Sequence, residues 1–134
     1  MTRALLPEGI PAWQMPFWDA LKQHTVVVQR CDSCHAYRYV PKEVCPHCWS
    51  AESTWSQVSG EGEIYTYTVV HRGPTPEFQA EAPYAIAYVE MAEGFRMIGR
   101  VVDIPPAEVR IGMPVSASFQ PLDEGWTALA FAPR

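Results

Sequence analysis

The stretch QRCDSCHAYRYVPKEVCPHCWS, residues 29–50, contains all four cysteines of the chain. They form two C-x-x-C pairs, Cys31 with Cys34 and Cys45 with Cys48, and ten residues separate the pairs. Each C-x-x-C turn can direct two sulfurs toward one point about 2.3 Å away, and two such turns complete a tetrahedron. The spacing therefore predicts a four-sulfur metal site in a zinc ribbon.

The ligand chemistry indicates which metal and which role to expect. Soft thiolates select zinc or iron, and we expect zinc. Four protein ligands leave no open coordination position, so the metal is predicted to be structural rather than catalytic. An iron-loaded electron carrier is an alternative, as are disulfides or a redox pair, although a thioredoxin-like motif needs a βαβ context that the sequence lacks. His35 and His47 could also act as ligands, but the four sulfurs make this less expected.

The residues around the cysteines modify this prediction. Zinc knuckles often place glycine directly after the second cysteine, for backbone freedom, whereas His35 and Trp49 occupy these positions here and weaken the match slightly. Four thiolates and one divalent metal together carry a charge of about −2. Arg30, Arg38 and Lys42 lie nearby in the sequence and could offset part of that charge.

Composition limits the classes of protein to consider. The chain has 134 residues, 48% of them hydrophobic, which is enough for one domain with a packed core. Its net charge of −5 disfavours non-specific attraction to nucleic acid, because that affinity comes mainly from Lys and Arg. No segment approaches the roughly 20 apolar residues of a membrane helix, and we expect a cytoplasmic protein with reduced thiols.

An aromatic segment precedes the cysteines. PFWDALKQH, residues 16–24, is predicted to be a short helix that begins at a proline and places Phe17 and Leu21 on one face, with Trp18 beside them. A helix this short is not stable alone. Its aromatic residues must therefore pack on the body of this protein or dock on another chain.

The rest of the chain is predicted to be β-structure. Strands are expected at 25–30 and 36–40 in the ribbon, and at 62–71, 84–91, 95–102, 113–121 and 126–132 after it. A long loop is expected at 72–83, and a turn or single helical turn at 103–112. Five strands with a short helical piece between the third and fourth are typical of an OB-fold barrel. Gly62 and Gly99 fall inside strands, where bulges or sharp coiling are expected.

These elements predict a mainly β protein in three parts. They are a short N-terminal helical segment at 1–24, a zinc ribbon at 25–58 and a five-stranded OB-fold at 59–134.

The sequence offers few candidates for catalysis. His71 ends a predicted strand and could be a general base, but nothing nearby completes a nucleophile–base set, so a structural role is favoured. There is no nucleophile elbow, phosphate-binding glycine loop or dinucleotide-binding signature. The residues alone therefore predict a module without catalytic residues.

The barrel also suggests a different function. OB-folds often bind single-stranded nucleic acid with aromatic platforms in a basic groove. Tyr65 and Tyr67 could supply such a platform, with Arg96 or Arg100 beside it. The acidic net charge disfavours this alternative, and we expect no nucleic acid partner.

Several motifs together resemble a known family. They are PFWDALKQH, VVVQRCDSC, VCPHC, GEGEIYTYTVVHRGPTP, APYAIAYVEMAEGFRMIGRV and RIGMPVSASFQPLDEG, which extend over nearly the whole chain. The chain is similar to small proteins with N-terminal helices, a rubredoxin-like zinc ribbon and an OB-fold that are associated with acyl-CoA enzymes.

The resemblance implies a function. Members of this family look like partner subunits of thiolase-like enzymes that form or cleave C–C bonds or transfer acyl groups, with the catalytic residues on the partner. By this resemblance the four cysteines bind zinc, and Trp13, Phe17 and Trp18 are candidates for docking to the partner. The loop 73–83 with Phe78 is a candidate for lining an acyl-CoA channel near the interface, or is a solvated barrel loop.

Overall fold

A computed structural model describes residues 6–134 of the chain. Within these residues, two α-helices and eight strands follow one another in the order α1 Met15–Lys22, β1 Val26–Cys31, β2 Tyr37–Arg38, β3 Ser53–Val58, β4 Glu61–Val70, α2 Pro76–Glu81, β5 Tyr84–Met91, β6 Arg96–Val101, β7 Pro114–Pro121 and β8 Thr127–Pro133. Short 3₁₀ turns cover Ala12–Gln14, Pro106–Glu108 and Asp123–Gly125. The first five residues of the predicted N-terminal segment lie outside the described residues.

The ribbon is a three-stranded antiparallel sheet in the order β2-β1-β3. Strand β1 pairs with β3 from Val26 opposite Val58 to Cys31 opposite Ser53. The sequence prediction missed β3 because STWSQV has few apolar residues, and its strand conformation depends on pairing with β1. Strand β2 is only two residues long, shorter than the predicted 36–40.

The second sheet is a closed barrel in the order β4-β5-β6-β8-β7, with β4 pairing with β7 to complete the circle. The 3₁₀ turn at Pro106–Glu108 lies between the third and fourth barrel strands, as predicted. The predicted mainly β fold with a five-stranded OB-fold is confirmed. The prediction of a loop at 72–83 was wrong in part, because α2 forms there. At the start of α2, the side-chain oxygen of Thr75 accepts a hydrogen bond from the N–H of Phe78.

Helix α1 packs on the body of the protein. Phe17 and Leu21 are both buried, which confirms their shared inward face. The ring of Trp18 meets Trp126 edge-on at 5.6 Å between centroids, so the helix contacts the barrel as well as the ribbon. The helix ends at Lys22, earlier than predicted, because His24 has a left-handed φ of 57°. Ribbon, helix and barrel therefore share one core.

Of the bulges or sharp coiling expected at Gly62 and Gly99, the bulges do not form at these glycines. The break in register lies between Ile64 and Thr66 instead. Gly62 is required by a close approach, since a Cβ there would lie 2.4 Å from the carbonyl oxygen of Glu90. Within residues 6–134, no helix is long and apolar enough to cross a membrane.

Candidate metal centre and binding surfaces

The two cysteine turns converge on one point. Strand β1 ends at Cys31, so the ribbon sheet fixes the first turn directly. The four sulfurs all lie within 4.8 Å of one another, with 3.5 Å between Cys31 and Cys48 and 3.7 Å between Cys34 and Cys45. Sulfurs arranged tetrahedrally around zinc are about 3.8 Å apart, given a Zn–S distance of about 2.3 Å. The cluster therefore fits a tetrahedral metal ion.

Backbone N–H groups support the sulfurs as thiolates. The pKa of Cys31 is lowered to about 6, chiefly because the N–H of Cys34 donates to its Sγ at 3.5 Å. At Cys45 burial raises the pKa, but N–H donation from Cys48 and His47 outweighs it and the pKa is lowered. Thiolates are the form that binds metal, so these contacts prepare the site for a cation.

Cys48 shows how close the sulfurs lie. The backbone N–H of Ser50 lowers its pKa, but its hydrogen bonds to the neighbouring sulfurs, Cys31 foremost, and burial raise the pKa to about 11. One thiolate thus makes its neighbour retain a proton. A divalent cation held by Cys31, Cys34, Cys45 and Cys48 would offset the negative charge of the thiolates and let all four ionise.

The positions after each cysteine pair have the conformation that glycine prefers. His35 has a φ of 64° and Trp49 a φ of 68°. Their N–H groups donate to the carbonyls of Cys31 and Cys45 at 3.0 and 2.9 Å, which closes each turn. The knuckle geometry therefore forms without glycine. Neither His35 nor His47 belongs to the metal-binding cluster of the described residues.

The three candidate docking residues differ in exposure. Trp13 is 36% exposed, just before α1. Trp18 is half-buried against Trp126. Phe17 is only 5% exposed and its ring lies 5.8 Å from that of Tyr39, so it is a core residue rather than a surface one. A docking surface at this end would be made mainly by Trp13.

The candidate channel residue lies beside a shallow groove. Phe78, on α2, faces the barrel, where its ring centroid lies 6.3 Å from that of Tyr84. A groove of about 310 Å³ runs between α2 and the barrel, and is lined mainly by apolar residues: Phe78, Tyr84, Ile86, Ile98 and Ala128, with Gly99 and Arg100. Arg100 stacks over Tyr84 and pairs with Glu81 at 3.4 Å. Phe78 is thus part of a groove wall.

The other candidates occupy separate positions. His71 is exposed, and among the described residues its side chain has no hydrogen bond or ion pair. Tyr65, considered above as a stacking platform, already lies 3.7 Å beneath the guanidinium of Arg96. Tyr67 is only partly exposed. The aromatic residues proposed for nucleic acid are therefore partly engaged within the chain.

The sequence did not reveal a large cleft between ribbon and barrel. It has a volume of about 930 Å³ and contains Arg30, Arg38 and Lys42 from the ribbon, and Tyr65, Tyr88, Glu90, Glu93 and Arg96 from the barrel. The three ribbon cations were noted in the sequence only for their closeness to the cysteines. These cations lie near the barrel residues only because the ribbon packs against the barrel. In that contact Tyr37 of the ribbon stacks on Phe95 of the barrel, with 5.2 Å between ring centroids.

A four-cysteine ribbon packed on a closed five-stranded barrel defines the class of zinc-ribbon OB-fold proteins. Family models agree with both parts: the ChsH2 rubredoxin-like zinc ribbon domain matches residues 18–54, and the ChsH2 C-terminal OB-fold domain matches residues 55–120. The chain belongs to this ChsH2 family, which includes DUF35 scaffold proteins.

Three relatives show the range of the family. A probable enoyl-CoA hydratase alpha subunit of Thermomonospora curvata is 38% identical over 98% of this chain, which spans only 41% of that relative. A DUF35 domain-containing scaffold protein of Methanocaldococcus jannaschii is 38% identical over 80% of this chain and 77% of its own length. A benzoylsuccinyl-CoA thiolase subunit of Geobacter metallireducens is 28% identical over 54% of this chain and 47% of its own length.

A solved structure is similar over almost the whole chain. It is described as an Ltp2-ChsH2(DUF35) aldolase, with a TM-score of 0.81 and 38% identity, and the match covers 95% of this chain and 98% of that one.

Proposed function

We propose that this chain is a non-catalytic, zinc-binding accessory subunit of a heteromeric thiolase-like acyl-CoA enzyme. The observation that carries the proposal is the similarity, over 95% of the chain, to a chain of the Ltp2-ChsH2(DUF35) aldolase. The relatives named as subunits of a CoA thiolase and a CoA hydratase support the same class. The reaction of the complex is the formation or cleavage of a C–C bond, or acyl transfer. This chain spans only 41% of the hydratase relative, so we do not assign hydration chemistry to it.

In this proposal the metal is structural zinc. Cys31, Cys34, Cys45 and Cys48 would hold it, and the sulfur separations of 3.5 and 3.7 Å suit that ion. Zinc with four protein ligands supplies folding energy rather than chemistry. Reduced thiols fit a cytoplasmic protein.

The docking and channel residues are also proposals. Trp13 is the aromatic residue near α1 that exposes most surface, and aromatic residues are enriched at protein interfaces. Phe78 and its groove offer an apolar wall of a size that suits an acyl chain. The nucleophile and general base are expected on the partner.

The test begins with the tagged protein purified from its native cells. Native mass spectrometry is expected to show a stoichiometric complex with a thiolase-sized chain and one zinc per copy of this subunit. The purified complex should cleave or form an acyl-CoA, and the separated partner should lose this activity. A zinc-loaded monomer that retains nucleic acid would overturn the proposal and support the OB-fold alternative. A coloured, iron-loaded protein would overturn the zinc assignment.

A further inference from the structure

The cleft between ribbon and barrel carries an excess of positive charge in an acidic chain. Four cationic side chains line it, against two carboxylates. Both carboxylates are engaged. Glu90 accepts from Arg96 at 2.7 Å, and Glu93 accepts from the N–H of Ser59 at 2.8 Å. The three ribbon cations, Arg30, Arg38 and Lys42, therefore have no carboxylate partner within residues 6–134.

Arg38 is the most unusual of the three cations. It is only 3% exposed, and its Nη1 donates to the carbonyl of Lys42 at 2.9 Å. Its Nε and Nη2 are buried without a hydrogen-bond acceptor among the described residues. A buried charge without a counter-ion costs folding free energy. An anion bound beside Arg38 would therefore stabilise this cation.

Arg30 and Lys42 present charge at the surface of the same cleft. Arg30 uses its Nε to hold the carbonyl of His35 at 3.0 Å, and its guanidinium stacks on Tyr37. This leaves its two terminal nitrogens free for a ligand. The Nζ of Lys42 has no partner in the described part of the chain. Neither residue donates to a cysteine sulfur, and the sulfurs receive backbone N–H groups instead.

We propose that this cleft binds the phosphate groups at the nucleotide end of a CoA thioester. This inference rests on the proposed function, which brings an acyl-CoA to the complex. Arg30 and Lys42 would contact phosphate oxygens directly, and the buried charge of Arg38 would add to the potential beneath them. The 930 Å³ volume accommodates a nucleotide, and the ring of Tyr88, 47% exposed, offers a surface for a base.

The experiment compares CoA binding by wild-type and variant complexes of this chain with its partner, using calorimetry. Arg30→Ala and Lys42→Ala are each expected to weaken CoA binding by about tenfold, because each removes a charge-assisted contact. Arg110→Ala is the matched control and should leave the affinity unchanged, since Arg110 lies outside the cleft and its guanidinium donates to backbone carbonyls. Inorganic pyrophosphate should compete with CoA in the wild type and much less in the variants.

A further variant tests the role of the buried cation, Arg38. Arg38→Met removes the charge but keeps an unbranched side chain, and should weaken CoA binding while the circular dichroism spectrum and zinc content stay unchanged. Unchanged CoA affinity in the Arg30 and Lys42 variants would overturn the proposal. So would weaker assembly with normal CoA affinity, which would identify the anion as a carboxylate of the partner.

Failure of the cleft proposal can be separated from failure of the proposed function. If a thiolase-like complex forms and is active, but the cleft substitutions leave its CoA affinity unchanged, only the cleft assignment fails. If no such partner exists, the same titration on the chain alone decides the cleft proposal. Competition by pyrophosphate that requires Arg30 and Lys42 supports it, and absence of CoA binding overturns it.

Discussion

The ring of Phe131 occupies the space in which a side chain at Gly99 would lie. A Cβ placed on Gly99 would be 2.9 Å from two ring carbons of Phe131, which is fully buried in the barrel. Gly99 and Phe131 belong to β6 and β8, neighbouring strands of the barrel that pair in parallel. The fold of the barrel therefore depends on a glycine that allows this aromatic ring to lie against the backbone.

Gly99→Ala is expected to destabilise the protein by about 1–3 kcal/mol, because the added methyl group overpacks the core. Chemical denaturation measures the loss. Ile98→Ala, at the exposed neighbouring position, is the control and should change the free energy of unfolding by less. The double variant Gly99→Ala with Phe131→Leu should recover part of the lost stability, because leucine replaces the obstructing ring with a smaller side chain. Full stability in Gly99→Ala would contradict this packing.

Removal of the metal is expected to destabilise the ribbon. Cys34→Ser should abolish stoichiometric zinc and lower Tm by roughly 10 °C or more, since a structural zinc contributes several kcal/mol of folding free energy. A strong chelator should reproduce the effect on the wild type. Ser33→Ala, which removes only an exposed hydrogen bond to Ser50, is the matched control. Normal Tm in a zinc-free Cys34→Ser protein would show that the metal does not stabilise the fold.

The pKa of Cys31 predicts how the stability of the metal-free, reduced protein changes with pH. Folding lowers this pKa from 9.0 to about 6, so between these values the unfolded chain binds more protons than the folded one. The contribution of Cys31 is then fully present above pH 9 and lost as the pH falls through 6. Thermal unfolding of the stripped protein should show Tm rising from pH 6 toward 9. The Tm of stripped Cys31→Ser should rise less steeply with pH. Parallel Tm profiles of the variant and the wild type would contradict the lowered pKa of Cys31.

The two aromatic residues near the start of α1 are expected to behave differently. Phe17→Ala should cost about 3–5 kcal/mol of stability, because the ring is buried in the shared core. Trp13→Ala should leave Tm nearly unchanged and weaken binding to the partner. Thermal unfolding and surface plasmon resonance measure the two effects. Normal partner affinity in folded Trp13→Ala would remove this residue from the interface.

The left-handed backbone at Trp49 predicts a difference between two small substitutions. Trp49 is 83% exposed, so truncation loses little packing. Glycine adopts a φ of 68° freely, whereas alanine retains the strain of a Cβ in this region. Zinc-loaded Trp49→Gly should therefore be about 1 kcal/mol more stable than Trp49→Ala. Equal stabilities would indicate that the turn relaxes to a different conformation.

The sequence alone determined the metal site and the class of fold. C-x-x-C spacing is local, because two residues between cysteines fix how their sulfurs can be directed, and the structure brings Cys31, Cys34, Cys45 and Cys48 together as predicted. Alternating apolar residues likewise identified the five barrel strands, since a strand with one buried face carries its pattern in its own residues.

Only the tertiary structure decided what depends on contacts between distant segments. Strand β3 forms through pairing with β1, and Phe17 became a core residue because Tyr39 and the rest of the shared core surround it. The charged cleft exists because Tyr37 stacks on Phe95, which brings the ribbon cations to the barrel. Local patterns specify the conformation of a segment, but the burial and partners of a side chain depend on how the segments pack together.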